Sequence, residues 1–306
     1  MIRNAIRYGL WLAAALTLGC ADPAPAREPL RALVVTGQNN HNWPVSHRAL
    51  QAILQNSGLF AADIAVSPGP GEDMGRFRPD FAAYDVVVLD YNGDRWSPET
   101  EQAFVRYAEG GGGIVLYHAA NNAFADWEAF NRIAALGGWE GRDERSGPYL
   151  YWQDGALVRD GSAGPGGSHG EQREYAMHAR NRRHPVVKGL PDEWMHATDE
   201  LYDRMRGPAN VKELLYTAWA DPQRGGSGRE EPLVFTVDYG AARIFHLMPG
   251  HAGATLDDNP AMQCAGFQTL LLRGAEWAAT GKVRQKVPSD FPTADRVSLR
   301  KEYRMP

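Results

Sequence analysis

Cysteine is scarce: the 306 residues include only Cys20 and Cys264. With Cys20 acylated or removed, no intramolecular disulfide is available, and the fold must rest on its core. No HExxH and no CxxC occurs, so any metal site has to be assembled from distant loops. GxGxxG and GxxxxGK are missing too, and Gly110 to Gly113 end a helix and enter a strand, the wrong context for a nucleotide loop. No nucleotide cofactor, NAD or ATP, is expected. There is also no basic stripe. The 32 Lys and Arg are outnumbered by 37 Asp and Glu, which argues against nucleic acid as the main partner.

The N-terminus carries a short apolar run, Leu10 to Leu18, interrupted only by Thr17. It is too short for a comfortable membrane span, and Arg3 and Arg7 give it the flank of a signal peptide. Leu16 to Cys20 resembles the lipobox of bacterial lipoproteins. Residues 1–19 are therefore expected to be a signal peptide and 20–30 a tether anchored to the membrane by lipid on Cys20. Leu18 is bulky for its place before Gly19, so ordinary cleavage nearby stays open. Either route exports the protein to the periplasm or cell envelope, and loss of the two arginines takes the net charge from −5 to −7.

What is present describes a globular α/β domain over residues 31–281, followed by a polar tail over 282–306. Hydrophobic residues make up 43% and charged ones 23%. Arg31 to Thr36 and Tyr84 to Tyr91 are apolar runs suited to buried parallel strands. Asp63 to Ser67 is a short strand between them, and Ile114 to His118 follows. Ala49, Leu50, Ile53 and Leu54 share one helical face in Ser46 to Asn56. Ser97 can cap, and Pro98 can start, the next helix. The order is that of a doubly wound, mostly parallel sheet flanked by helices. In the second half, Gly161 to Gly170 is expected to be a flexible loop and possible lid, and Arg173 to Arg180 a strand. A hairpin turns at Tyr239-Gly240-Ala241, and one helix covers Pro260 to Thr280 with Cys264 packed in it.

Several of the nine histidines fall where strands run out, and ligands of open α/β sheets bind outside the carboxyl ends of strands. His41 follows the first strand in an amide-rich loop. Asn39 and Asn40 there could bind hydroxyls and Trp43 could stack on a sugar ring, although a turn with a capping role uses the same residues. His118 ends its strand, with Asn121 and Asn122 behind it. No cysteine or serine occupies that turn, so a covalent acyl intermediate is not expected. Asp90, Asn92 and Asp94 leave the neighbouring strand, where a carboxylate could orient a histidine. Asp94 is read as turn chemistry. Asp199 and Glu200 are adjacent, and in a strand Glu200 would share a face with Tyr202. His251 follows Pro249-Gly250, a turn able to present its ring. His246 flanks the same Met248-Pro249-Gly250 turn from its other side, His169, His178 and His184 are weaker candidates, and His47 and His196 are read as structural or surface residues.

Together these residues resemble the trehalose-utilisation (ThuA-like) family. The likeness runs through LVVTGQNNHNW, YDVVVLDYNGD, GGGGIVLYHAANN, RHPVVKGLP, DELYDRM and ARIFHLMPGH, roughly residues 31 to 281. It implies a class I glutamine amidotransferase-like (flavodoxin-like) fold in a single domain, without that superfamily's usual nucleophile. It also implies catabolism of trehalose or related disaccharides, including 3-keto sugars. His118 and Glu200 are then the catalytic candidates, and Asn39, Asn40, Trp43, Asn92, Asn121 and Tyr202 the substrate-binding ones. His41, His118 and His251 would ligate a divalent transition metal such as zinc. The expected chemistry is proton abstraction beside a keto group, leading to isomerisation or bond cleavage. A non-catalytic carbohydrate-binding lipoprotein, with Trp43 and Trp127 as platforms, or a scaffold for envelope sugar-processing enzymes, would use the same surface.

Overall fold

The computed structural model describes residues 28–304. The expected signal peptide and the Cys20 anchor lie outside the described residues. Strand β1 (Leu30–Thr36) leads to α1 (Trp43–Asn56), β2 (Phe60–Val66), β3 (Val86–Leu89), α2 (Pro98–Glu109) and β4 (Gly113–Tyr117). After α3 (Glu128–Ala134) come β5 (Tyr149–Gln153), β6 (Ala156–Asp160), β7 (Ser168–His169), β8 (Arg173–Ala179), β9 (Glu193–Asp199) and β10 (Tyr202–Asp203). The chain continues through β11 (Val211–Trp219), β12 (Glu230–Val237), β13 (Arg243–Leu247), α4 (Pro260–Gln263) and α5 (Ala265–Thr280).

One sheet runs in the order β2-β1-β3-β4-β13-β12-β11-β8-β9, with the β5-β6 hairpin joined to β12. Strands β2, β1, β3, β4 and β13 are mutually parallel. The rest of that path is antiparallel. The α/β class is as expected, and the second half extends the parallel sheet with antiparallel strands. The parallel strands are apolar throughout because both of their faces are covered: Val86–Leu89 and Ile114–Leu116 are almost wholly buried. Strand β2 begins three residues earlier than expected, because Phe60 pairs with Leu30. Ser97 caps α2 through its hydroxyl, which accepts from the Thr100 amide.

Two expectations are corrected. The single helix over Pro260 to Thr280 breaks at Cys264, whose φ and ψ of −57° and 123° are not helical. Cys264 bridges Leu299, the Ala265 amide donates to Ser298 O at 2.8 Å, and the Arg300 amide donates to Gln263 O at 2.7 Å. The end of the tail thus inserts a short pairing into the helix line and buries Arg300 and Tyr303, while residues 282–299 stay exposed or half-buried apart from Pro292. The second half of the glycine-rich segment is also tied down. Gly166 and Gly167 donate to Arg142 O and Arg204 O, and Ser168–His169 pairs with β10.

Candidate metal centre and sugar cavity

The carboxyl ends of β1, β3, β4 and β13 open on a cavity of about 1140 Å³. Its wall includes Asn39, Asn40, His41, Trp43, Asn92, Glu200, Tyr202 and His251. Among the described residues no lysine or arginine lines it, while Glu140, Glu200 and Asp258 do. This amide-rich wall offers hydrogen bonds to hydroxyls, and its described residues supply no guanidinium or ammonium group to a phosphate.

At its floor, ligand atoms of His41, His118, Glu200 and His251 all lie within 4.8 Å of one another. Glu200 Oε2 is 3.3 Å from His41 Nε2, 3.6 Å from His118 Nε2 and 3.2 Å from His251 Nδ1. Each histidine comes from the turn after a strand: His41 after β1, His118 after β4, His251 after β13. Glu200 crosses to them from the end of β9, at the far edge of the sheet.

Two of the rings are oriented from behind. His118 Nδ1 is 2.6 Å from Met248 O, an acceptor only, so Nδ1 carries the proton and Nε2 presents a lone pair. His41 Nδ1 faces the amide oxygens of Asn39 and Asn40, at 3.3 and 3.1 Å, leaving Nε2 as its lone pair. Asn39 in turn donates to buried Asp90, which also accepts from Ser46 and Thr36. His251 Nδ1 is buried without a hydrogen-bond partner, since its approach to Glu200 is poorly aligned.

At His41 and Glu200 the electrostatics suit a cation. Burial lowers the pKa of His41, only partly offset by Glu200, and this keeps the ring neutral. Burial alone would raise Glu200, but contacts from His118, His251 and His41 outweigh it and hold the carboxyl well below the usual range. For His251 the burial effect is overcome by Glu200, and the pKa is raised. Three converging imidazole nitrogens and one carboxylate oxygen are a donor set that could hold a zinc-type cation. The orphaned His251 nitrogen is what a cation would satisfy.

Around this cluster, Tyr202 stacks on His118 at 4.6 Å, its hydroxyl 3.0 Å from Nε2. Burial raises its pKa well above 10, so the hydroxyl stays protonated. His169 Nε2 lies 3.7 Å from the other Glu200 oxygen, Oε1, which also accepts from Gln172. His169 Nδ1 faces Gly170 O at 2.8 Å, which again leaves the Nε2 lone pair toward the cavity.

Not every expected residue arrives here. His118 joins the cluster but is only 1% exposed, beneath the cavity wall. Asn121 is wholly buried, with its amide 3.1 Å from His246 Nε2, and is not a cavity residue. In the 3₁₀ turn His118–Asn122, successive side chains point about 120° apart, and it is Asn122 that lines the cavity. Trp127 packs among Trp96, Phe124 and Phe130, and the second aromatic wall is Trp139. His178 pairs with Glu230, and His184 packs on Trp277. His196 is buried against Asp199. Sequence reasoning missed Trp139 and Gln172, which follow no strand end, and ranked His169 low.

A family model described as ThuA, trehalose utilisation, matches residues 31–278. No curated protein matches the chain. Among solved structures, the chain is similar to a ThuA-like protein from Parabacteroides merdae, at 65% identity and a TM-score of 0.90, covering 90% of this chain and 99% of that one. It is also similar to a ThuA-like protein from Bacteroides uniformis at 19% identity and a TM-score of 0.51, covering 86% and 97%, a likeness of fold alone.

Proposed function

The chain belongs to the ThuA family, described by trehalose utilisation and hence by sugar metabolism, and from that premise we propose that it is an enzyme acting on a neutral glycoside or keto-glycoside, with a divalent cation held by His41, His118, Glu200 and His251. The observation that carries this is the convergence of three imidazole nitrogens on one carboxylate oxygen within 4.8 Å, at the floor of a cavity lined by no lysine or arginine among the described residues. When bound, the cation supplies Lewis-acid polarisation of a carbonyl oxygen.

The chain's own groups do the rest. Asn39, Asn40 and Asn92 bind hydroxyls, while Trp43 and Trp139 offer apolar faces to sugar rings. His169, with Nδ1 fixed on Gly170 O and a side chain 38% exposed, takes the proton from the carbon beside a ketone. The C–H electrons move into the carbonyl. Their return expels the glycosidic oxygen and leaves a double bond, and that oxygen takes up the proton from His169. Two carboxylates flanking the scissile bond are not needed for this route.

Elemental analysis of purified protein, without added metal or chelator, tests the cation together with a His118→Ala variant. Near-stoichiometric zinc, manganese or iron in the wild type, lost in the variant, is expected. A metal-free wild type overturns the cation assignment. Turnover of 3-keto-glycosides, and not of their unoxidised parents, is the expected activity. We further propose an exported protein anchored by lipid on Cys20, which mass measurement of the mature N-terminus checks.

A further inference from the structure

Asp199 is 1% exposed and cannot touch a substrate. Both of its oxygens are nonetheless fully used. Oδ2 accepts from the Gly250 amide at 2.6 Å and pairs with His196 Nε2 at 2.7 Å. Oδ1 accepts from the His251 amide at 2.9 Å and from the Glu200 amide at 2.8 Å. Four donors match the roughly four lone-pair sites of a carboxylate.

The two segments it joins are 52 residues apart, and their strands are not neighbours: β9 is the edge strand, while β13 lies within the parallel half. No ladder hydrogen bond connects β9 to β13, so strand pairing alone does not fix the distance between Glu200 and His251. The loop after β13 is gripped from its other side too, by the Tyr117 hydroxyl donating to Gly250 O. Gly250 has a φ of +119°, and a Cβ there would meet the Phe267 and Tyr117 rings at 2.5 and 2.7 Å. His196 is itself wholly buried between Tyr175 and Trp194, which fixes the fourth donor.

We infer that Asp199 is the positioning residue of the cation centre, a carboxylate clamp that sets Glu200 and His251 at ligating distance by holding both backbones. This rests on the cation site proposed above. Zinc titration of the metal-stripped protein against a competing chromogenic chelator tests it in the wild type, Asp199→Asn and His196→Gln. Asp199→Asn replaces one acceptor oxygen by an amide and should weaken zinc by about 10- to 100-fold while the metal-free chain stays folded. His196→Gln keeps an N–H for Asp199 and should stay within about three-fold of wild type.

Zinc affinity of Asp199→Asn equal to wild type overturns the clamp and leaves the cation site standing. A parallel loss in both variants, matched by equal loss of metal-free stability, also overturns it, because only general damage to the core would then be at work. A wild type that binds no zinc removes the cation site itself, and the clamp's role with it. If Asp199→Asn does not fold, His196→Ala removes one donor of four and should weaken zinc by about three- to ten-fold, with no change counting against the clamp.

Discussion

Replacing Tyr202 by Phe should tighten cation binding, the opposite of what removing a polar group beside a metal site ordinarily does. The Tyr202 hydroxyl lies 3.0 Å from His118 Nε2, the same lone pair a cation requires. Since His118 Nδ1 holds its proton on Met248 O, Nε2 accepts from the hydroxyl in the metal-free protein. Loading the site has to break that bond. A net hydrogen bond of this kind is worth about 1 kcal/mol, or roughly five-fold in a binding constant at 1.4 kcal/mol per decade. Phe keeps the stacking on His118 and the edge contact with Trp139. Zinc competition between metal-free protein and a chelator should give a dissociation constant about five-fold lower for Tyr202→Phe. Equal or weaker binding, with metal-free stability unchanged, would refute the idea that hydroxyl and cation compete for one lone pair.

Other consequences lie away from the cluster. Glu231 is fully buried, accepts from Ser227 and Tyr149, and is pushed by burial up to about 8. The folded chain then binds a proton that the unfolded chain has released between about pH 5 and 8, so stability falls as pH rises through that window. Glu231→Gln should flatten the fall by about 2–4 kcal/mol. Urea midpoints at pH 5 and 8 check this, and parallel shifts in both proteins would count against it. Arg142 donates to the carbonyls of Asn122, Ala123 and Gly138 and to Asn131 Oδ1, bracing the turn behind His118. Arg142→Met should lose about 3 kcal/mol or more of stability by orphaning those acceptors; a loss below about 1 kcal/mol in urea unfolding would show the turn to be held by other means.

The parallel half of the sheet was legible because strands covered on both faces are near-continuous apolar runs, as in Val86–Leu89 and Ile114–Tyr117. The antiparallel extension was only partly so. Strand β8 and the hairpin of β12 and β13 alternate or flank a clear turn. Strand β11 hides its pattern behind register shifts near Glu213 and Tyr216. The break at Cys264 left no local signal, since it comes from pairing with Leu299. Strand-end position likewise singled out His41, His118 and His251, each displayed by its own strand. Glu200 was visible only as one of two acids, because its place is set by the packing of an edge strand 159 residues from His41. Trp127 and Trp139 could not be told apart by local sequence, as burial in an aromatic cluster decides between them.

His118 itself shows how local strain and distant contacts combine. Its φ of 45° is left-handed, uncommon for a residue with a Cβ and worth about 1–3 kcal/mol of strain. Glycine would relieve it, yet an imidazole stands there. The strain is sustained from three sides: Met248 O takes Nδ1–H, Tyr202 covers the ring, and Arg142 grips the carbonyls of Asn122 and Ala123. A ring so held has no freedom to swing into attack, and its Nε2 lies 3.6 Å from Glu200 Oε2, with the rings of His41 and His251 packed edge-on beside it. A strained turn that locks the His118 ring beside the Glu200 carboxylate fits the proposed cation site better than it fits covalent attack, and under that proposal the proton chemistry belongs to the more exposed His169 at the cavity wall.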